Sequence, residues 1–233
     1  INTIIDGSNT GSVISIAEPN SGNSSIKNLT IKNGSGTLDG WPGVNGPVGG
    51  GIFAKYNNVS LNNLILRENS ATYGGGIFIQ TNEGLEADLI IKDVNFENNS
   101  ASGESSAAWI RPTNVTLEIK NSTFVNNNGP TAANISGPDL NVTLSNNSFF
   151  QNSGHLNLYG SGSNSSFELL NNHFVGNSSN QNGGALLLDG SNYSVTIESC
   201  IFSENLANSA GGGGVAMRNG GSVNIRNSLF HNN

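Results

Sequence analysis

The sequence predicts an all-β chain wound into a solenoid of about eight coils. Three observations carry that prediction: an eight-residue unit that recurs eight times, an apolar/polar alternation inside each unit, and an asparagine at fixed places where a coil has to turn. Self-similarity at a fixed period of about 20 to 50 residues marks stacked repeats. Here the units begin at residues 24, 59, 89, 117, 142, 167, 195 and 223, which puts the starts 25 to 35 residues apart.

Each column of the unit has its own chemistry. The third position is apolar in every copy: Ile26, Leu61, Ile91, Ile119, Leu144, Leu169, Ile197 and Ile225. In a chain that is 35% hydrophobic, that agreement has a random chance of about 10⁻⁴. The first position is apolar in all copies but Ser24, and the second and fourth are mostly polar. Period two means a strand with alternate residues inside and outside. The eighth position reads Ile31, Leu66, then Phe96, Phe124, Phe149, Phe174, Phe202 and Phe230. The fifth reads Asn28, Asn63, Asp93, Asn121, Asn146, Asn171, Ser199 and Asn227. Asn and Asp tolerate positive φ and bond to nearby backbone, so this column predicts a sharp corner with amides stacked from coil to coil. Three residues after the Phe column, Asn69, Asn99, Asn127, Asn152, Asn177, Asn205 and Asn233 predict a second corner, with Gly34 in the first copy.

A third strand follows in each coil, at 49–55, 74–80, 107–111, 132–136, 155–159, 185–189 and 214–218. Three short strands per coil suit a triangular helix of strands. No coil buries its apolar face alone, so stacking must supply the core. At about 4.8 Å between neighbouring strands, eight coils make a rod roughly 40 Å long.

Composition agrees. The chain holds 41 Asn, 31 Gly and 31 Ser, with only 11% charged residues. That excludes coiled coils and long helical bundles and leaves a β-solenoid or a disordered chain, between which the repeat decides. A net charge of -7 argues against a nucleic-acid partner, since phosphate binding needs clustered Lys and Arg. No stretch approaches the apolar length of a membrane-spanning helix, so insertion of this segment into a membrane is not expected, and none reads as a signal peptide.

The alternation of GGGIF, GGGIF, GGALL and GGGGV with FENN, FVNN, FFQN, FVGN, FSEN and FHNN resembles right-handed parallel β-helix proteins of the pectin-lyase-like superfamily. More narrowly, it is similar to the repeats of polymorphic outer membrane proteins, with their GGA-plus-aliphatic and FxxN motifs. The resemblance covers about residues 24–233. It implies a right-handed, three-sheet parallel β-helix and an extracellular or cell-surface setting, often in adhesion. In the middle of the chain Ala107-Ala108, Ala132-Ala133 and Gly154-His155 replace the paired glycines. The whole chain, 1–233, reads as one β-helix domain, with 1–23 an incomplete first coil around an Asp6-Gly7 turn and 35–48 a Gly/Pro-rich insertion. The eighth unit runs out at Asn233 with no capping segment. Solenoid ends normally need caps, so the expectation is a fragment or an end that meets a partner.

Candidate sites lie on the outward side of the third strand. One outward column is Phe53, Phe78, Trp109, Asn134, Asn157, Leu187 and Ala216. The other is Lys55, Gln80, Arg111, Ser136, Tyr159, Asp189 and Arg218. An open aromatic row offers large area and π faces to a glycan or a protein, which makes Phe53, Phe78, Trp109, Arg111, Tyr159, Asp189 and Arg218 the candidate binding residues. The competing reading is that insertion 35–48, with Trp41, folds over Phe53 and Phe78 as a lid. Trp109, furthest from that insertion, is then the aromatic expected to be open.

Catalytic and metal chemistry find little support. The Asp residues are scattered, without the paired carboxylates that acid/base cleavage requires. Asp189 with Arg218, Glu198 with Arg226, and Arg67 with Glu97 read as exposed ion pairs worth under about 1 kcal/mol. His155, His173 and His231 show no metal-ligand spacing, and His173 and His231 are expected to point outward. Cys200 shares a small-residue column with Ser122 and Ser228 and is expected to pack near a corner. Thirteen Asn-x-Ser/Thr sequons occur, several of them in stacked columns where a glycan would clash; Asn164 and Asn192 are loop sites. The function expected is therefore non-catalytic: an adhesin, stalk or surface element without cofactor or metal, partnered by a glycan or a surface protein. A polysaccharide lyase and a self-assembling subunit joined through the open last coil are the alternatives.

Overall fold

The computed structural model describes residues 3–17, 23–39, 44–56, 58–81, 87–162, 164–209 and 211–233. Among these, every regular element is a strand. Successive coils pair in parallel, as Leu117↔Val142, Phe124↔Phe149 and Trp109↔Phe78 illustrate. The one antiparallel pairing among the described residues is inside the insertion, between Thr37–Leu38 and Pro47–Val48.

Each coil has three faces. In the middle of the rod the first is built from Val115–Lys120, Asn141–Ser145, Ser165–Leu170 and Tyr193–Glu198. The second is built from Thr123–Val125, Ser148–Phe150, His173–Val175 and Ile201–Ser203. In the early coils one strand runs through the corner between them, as in Asn58–Arg67, so the first two faces form a single hydrogen-bonded network. The third face, in a separate network, is built from Ile52–Lys55, Ile77–Gln80, Ala108–Arg111, Asn128–Pro138, Ser153–Ser161, Leu186–Gly190 and Val215–Met217. At the start, Ile4–Asp6 pairs with the strand holding Thr30–Lys32, and Ile14–Ile16 pairs with Ile52–Ala54.

The corners follow from asparagine chemistry. All eight fifth-position residues, Asn28 to Asn227, have φ between 50° and 61°. This left-handed region is costly for most L-residues and mildest for Asn and Asp. Their side chains form an exposed stack, with Asn63 Nδ2 donating to Asn28 Oδ1 at 2.8 Å and Asn121 Nδ2 to Asp93 Oδ1 at 3.2 Å. At the second corner the left-handed residue is the one before the expected Asn: Glu68, Asn98, Asn126, Gln151, Gly176 and Glu204. That turn swings the following side chain inward. Asn69, Asn99, Asn127, Asn152, Asn177 and Asn205 are all at least 98% buried. Each accepts on Oδ1 from a backbone N–H of the coil before, and from Asn99 onward from the side-chain N–H of that coil's Asn as well, and donates to a carbonyl of the eighth-position column, as in Asn152 Nδ2 to Phe124 O at 2.8 Å. The same device operates one residue after the first corner. Ser122 N donates to Asn147 Oδ1, Asn147 N to Asn172 Oδ1, Asn172 N to Cys200 Sγ, and Cys200 N to Ser228 Oγ.

Between the corners lies a dry core. Phe96, Phe124, Phe149, Phe174, Phe202 and Phe230 stack with centroids 4.4 to 4.8 Å apart and rings within 11° of parallel. The first- and third-position residues pack against them. The glycines at 74–76 have a local cause: a Cβ on Gly75 would collide with the carbonyls of Ser100 and Ser106. In the last coil Met217, Ile225, Leu229 and Phe230 are exposed.

Candidate binding face

The third face sets two outward columns in the expected register. Phe53 pairs with Phe78, Phe78 with Trp109, Trp109 with Asn134, Asn134 with Asn157, and Asn157 with Leu187. The inward neighbours Ile52, Ile77, Ile79, Ile110, Ile135, Leu156, Leu158, Leu186 and Leu188 are buried in the core.

The aromatic column, however, is not open. Phe53 and Phe78 are buried, and Trp109 is 7% exposed. They form a second apolar cluster with Val44, Val48 and Tyr73. Val48 comes from the insertion and pairs with Tyr73. Tyr73 lies against Trp109 at 5.0 Å between centroids, and Phe78 meets Trp109 edge-on at 5.2 Å. The expectation that Trp109 is the open aromatic is therefore corrected. Two neighbours cover it, and apolar faces of this size are rarely left in water. Trp41, assigned to the lid, lies outside the described residues. The insertion is also tied down by a part-buried ion pair, Lys55 Nζ to Asp39 Oδ1 at 2.7 Å.

The second column is accessible from Arg111 onward, whereas Gln80 is buried. Ser136 pairs with Tyr159 and Tyr159 with Asp189. Arg111 precedes them, with its guanidinium 5.2 Å from the Trp109 ring centroid, and Arg218 follows Met217, the partner of Leu188. Tyr159 is 39% exposed and Arg218 is exposed. Asp189 Oδ1 accepts from the Gly190 N–H at 2.7 Å and from Asn219 Nδ2 at 2.8 Å, which holds the carboxylate in place. Over four coil steps of about 4.8 Å, the column presents cation, hydroxyl, phenol, anion and cation in a line. Such a line offers charge and ring area to a ligand. Of the expected surface ion pairs, Glu198–Arg226 is present at 2.8 Å. Arg67 lies opposite Glu97 but reaches its neighbour Glu68, at 3.8 Å.

His173 and His231 are exposed, and Cys200 is buried at the first corner, where burial pushes its thiol pKa up. Among the sequons, Asn177 is in the buried ladder and Asn134 is buried, whereas Asn114, Asn141, Asn164 and Asn192 are exposed. Among the described residues no three metal-ligating side chains cluster. No helix among them is long and apolar enough to cross a membrane.

Sequence reasoning missed His155. It is 1% exposed, with Nδ1 2.8 Å from Ser179 Oγ. Ser179 Oγ also accepts the Gln181 N–H at 3.0 Å, and its role towards the ring follows the imidazole tautomer. Burial, with a smaller contribution from the Arg218 charge, lowers the His155 pKa from 6.5 to about 4. The unfolded chain then binds the proton more readily than the folded one between those values. This contribution to stability is complete above about pH 6.5 and is lost as pH falls toward 4. At 1.36 kcal/mol per unit the loss reaches about 3 kcal/mol. Urea midpoints measured at pH 4 and pH 7 should differ more for the parent than for His155→Gln; equal differences would count against a buried neutral imidazole.

A model of the right handed beta helix region matches residues 75–233. The chain belongs to the right-handed β-helix family. No curated protein and no solved structure matches it.

Proposed function

We propose that this β-helix is a non-catalytic extracellular or cell-surface element, an adhesin or stalk, that contacts a surface glycan or protein through the Arg111–Ser136–Tyr159–Asp189–Arg218 column. The observation that carries the reading is this open, in-register column on a rod whose interior is two continuous hydrogen-bonded ladders and one ring stack. The rod supplies stiffness and the column supplies the contact. The resemblance of the GGGIF, GGALL and GGGGV runs and the FxxN motifs to polymorphic outer membrane protein repeats supports the cell-surface reading. The engagement of Asp189 by Gly190 and Asn219 favours a structural carboxylate over a catalytic acid.

The test is a panel of acidic and neutral polysaccharides and surface-protein ectodomains, read for binding and for new reducing or unsaturated ends. The expected result is binding without cleavage, about tenfold weaker for Tyr159→Ala, since an exposed Tyr at the centre of a contact is a frequent hot spot. New chain ends would move the protein to the polysaccharide lyase or hydrolase class. Binding to nothing on the panel would leave a purely structural rod.

A further inference from the structure

A groove of about 500 Å³ opens on the turn between the second and third faces. Its lining includes Asn128, Pro130, Ser153, Gly154, Ser178 and Gln181. Asn128 pairs with Ser153 and Ser153 with Ser178, so three successive coils place a carboxamide or hydroxyl in one row, about 4.8 Å apart. These are the residues that directly follow the buried Asn127, Asn152 and Asn177, and the ladder fixes their positions. We infer that this groove is a second binding site, for a neutral oligosaccharide.

Three features of the lining select that ligand. First, it contains no ionisable side chain. A charged ligand seated there would lose hydration without compensation, in contrast to the Arg- and Asp-bearing column on the third face. Second, Ser hydroxyls and Asn and Gln amides each both donate and accept, as sugar hydroxyls do, while Ala101, Pro130 and the glycine floor give apolar surface for ring C–H groups. Third, the backbone is already spent. The N–H groups of Asn128, Ser153 and Ser178 donate to the carbonyls of Asn99, Asn127 and Asn152 at 2.8 to 3.0 Å. A peptide adding as a strand needs such groups free; a sugar read by side chains does not. The site is also rigid. The Gln181 turn is pinned through Ser179 to buried His155, and Gly154, at φ +115°, has its Cβ position filled by Gly129 O and Thr131. Preorganisation of this kind reduces the ordering cost of binding. The volume falls in the range of about 300–1,000 Å³ usual for ligand sites.

The site stands apart from the charged column, and Tyr159→Ala separates the two. The experiment titrates the ¹⁵N-labelled protein with hexasaccharides of β-1,4-glucan, α-1,4-glucan, β-1,4-mannan and N-acetylglucosamine, and with a hexagalacturonate as the charged comparison. At least one neutral hexasaccharide should bind, with shift changes confined to residues 128–130, 153–154 and 178–181. Ser153→Trp fills the groove from an exposed position and should weaken that binding at least about tenfold. Gln181→Ala should weaken it about fivefold, the loss of roughly one hydrogen bond. Tyr159→Ala should leave it unchanged. Absence of binding by every neutral probe, equal binding of hexagalacturonate, insensitivity to Ser153→Trp in a folded variant, or the same variant pattern for an uncharged peptide would each overturn the inference.

Discussion

Asn152→Ala is expected to destabilise the protein by about 3–5 kcal/mol. Asn152 Oδ1 accepts from Asn127 N and from Asn127 Nδ2, each at 3.0 Å, and its Nδ2 donates to Phe124 O at 2.8 Å and to Asn177 Oδ1 at 2.9 Å. Truncation withdraws the acceptor from a buried backbone N–H and the amide donor from a buried carbonyl. Each orphaned group costs about 1–3 kcal/mol, and no water reaches this part of the interior cheaply. Asn152→Asp should be no better, because a carboxylate keeps the acceptor, loses the donor and places a charge against Phe124 O. The paired control is Asn146→Ala on the exposed stack. There the side-chain bond is long, 3.4 Å to Asn121, and the main effect is an alanine at φ 55°, a cost of about 1–2 kcal/mol. Urea denaturation of the two variants checks the ranking. Equal losses would mean that the asparagines serve only as turn formers.

That contrast also marks what a repeat sequence reveals. The two Asn columns look alike on paper because both are one residue type at one place in a coil. Their positions, the strand register and the Phe stack were all legible, since a column that survives eight copies has few geometric explanations. Which column is buried was not legible. Burial depends on whether the left-handed residue is the asparagine itself, as at Asn146, or the residue before it, as Gln151 is for Asn152. The candidate face shows the same division. The alternation correctly placed Phe53, Phe78 and Trp109 outward from the main core. Their cover comes from Val44, Val48 and Tyr73: the two valines lie in the insertion, which the other coils lack, and Tyr73 lies opposite Glu104 of the next coil, so no aromatic recurs there for periodicity to reveal. The Arg111 to Arg218 column has no such cover and stayed where the pattern put it. The groove row, Asn128, Ser153 and Ser178, could have been found in the sequence as the residue after the ladder asparagines, which is polar in every coil from Ser70 to Ser178 and becomes Leu206 only after Asn205. Its concavity could not, because the row is interrupted by the register irregularity between Asn128 and Thr131 and by the bend at 180–182.

Phe149→Ala is the second large effect expected, about 3–5 kcal/mol. Phe149 is 1% exposed and stacked between Phe124, at 4.4 Å and 5°, and Phe174, at 4.8 Å and 9°. Its removal leaves a cavity closed on both sides by flat rings that the fixed strand register holds apart, so collapse is limited and the cost falls high in the usual range. Each lost ring contact adds about 0.5–1.5 kcal/mol. Phe149→Leu should cost far less, below about 2 kcal/mol, because the first two coils already hold Ile31 and Leu66 in this column without disturbing their strands. The distribution of the loss matters as much as its size. In a solenoid each coil contacts only its neighbours, so a defect at Phe149 weakens two interfaces in the middle of the rod. Amide exchange of Phe149→Ala should therefore speed up first in the coils carrying Phe124 and Phe174, and least in the coils carrying Ile52 and Ile77. Uniform acceleration along the chain would show that the rod unfolds as one cooperative body, in which case the ring stack adds to total stability without setting where the rod opens.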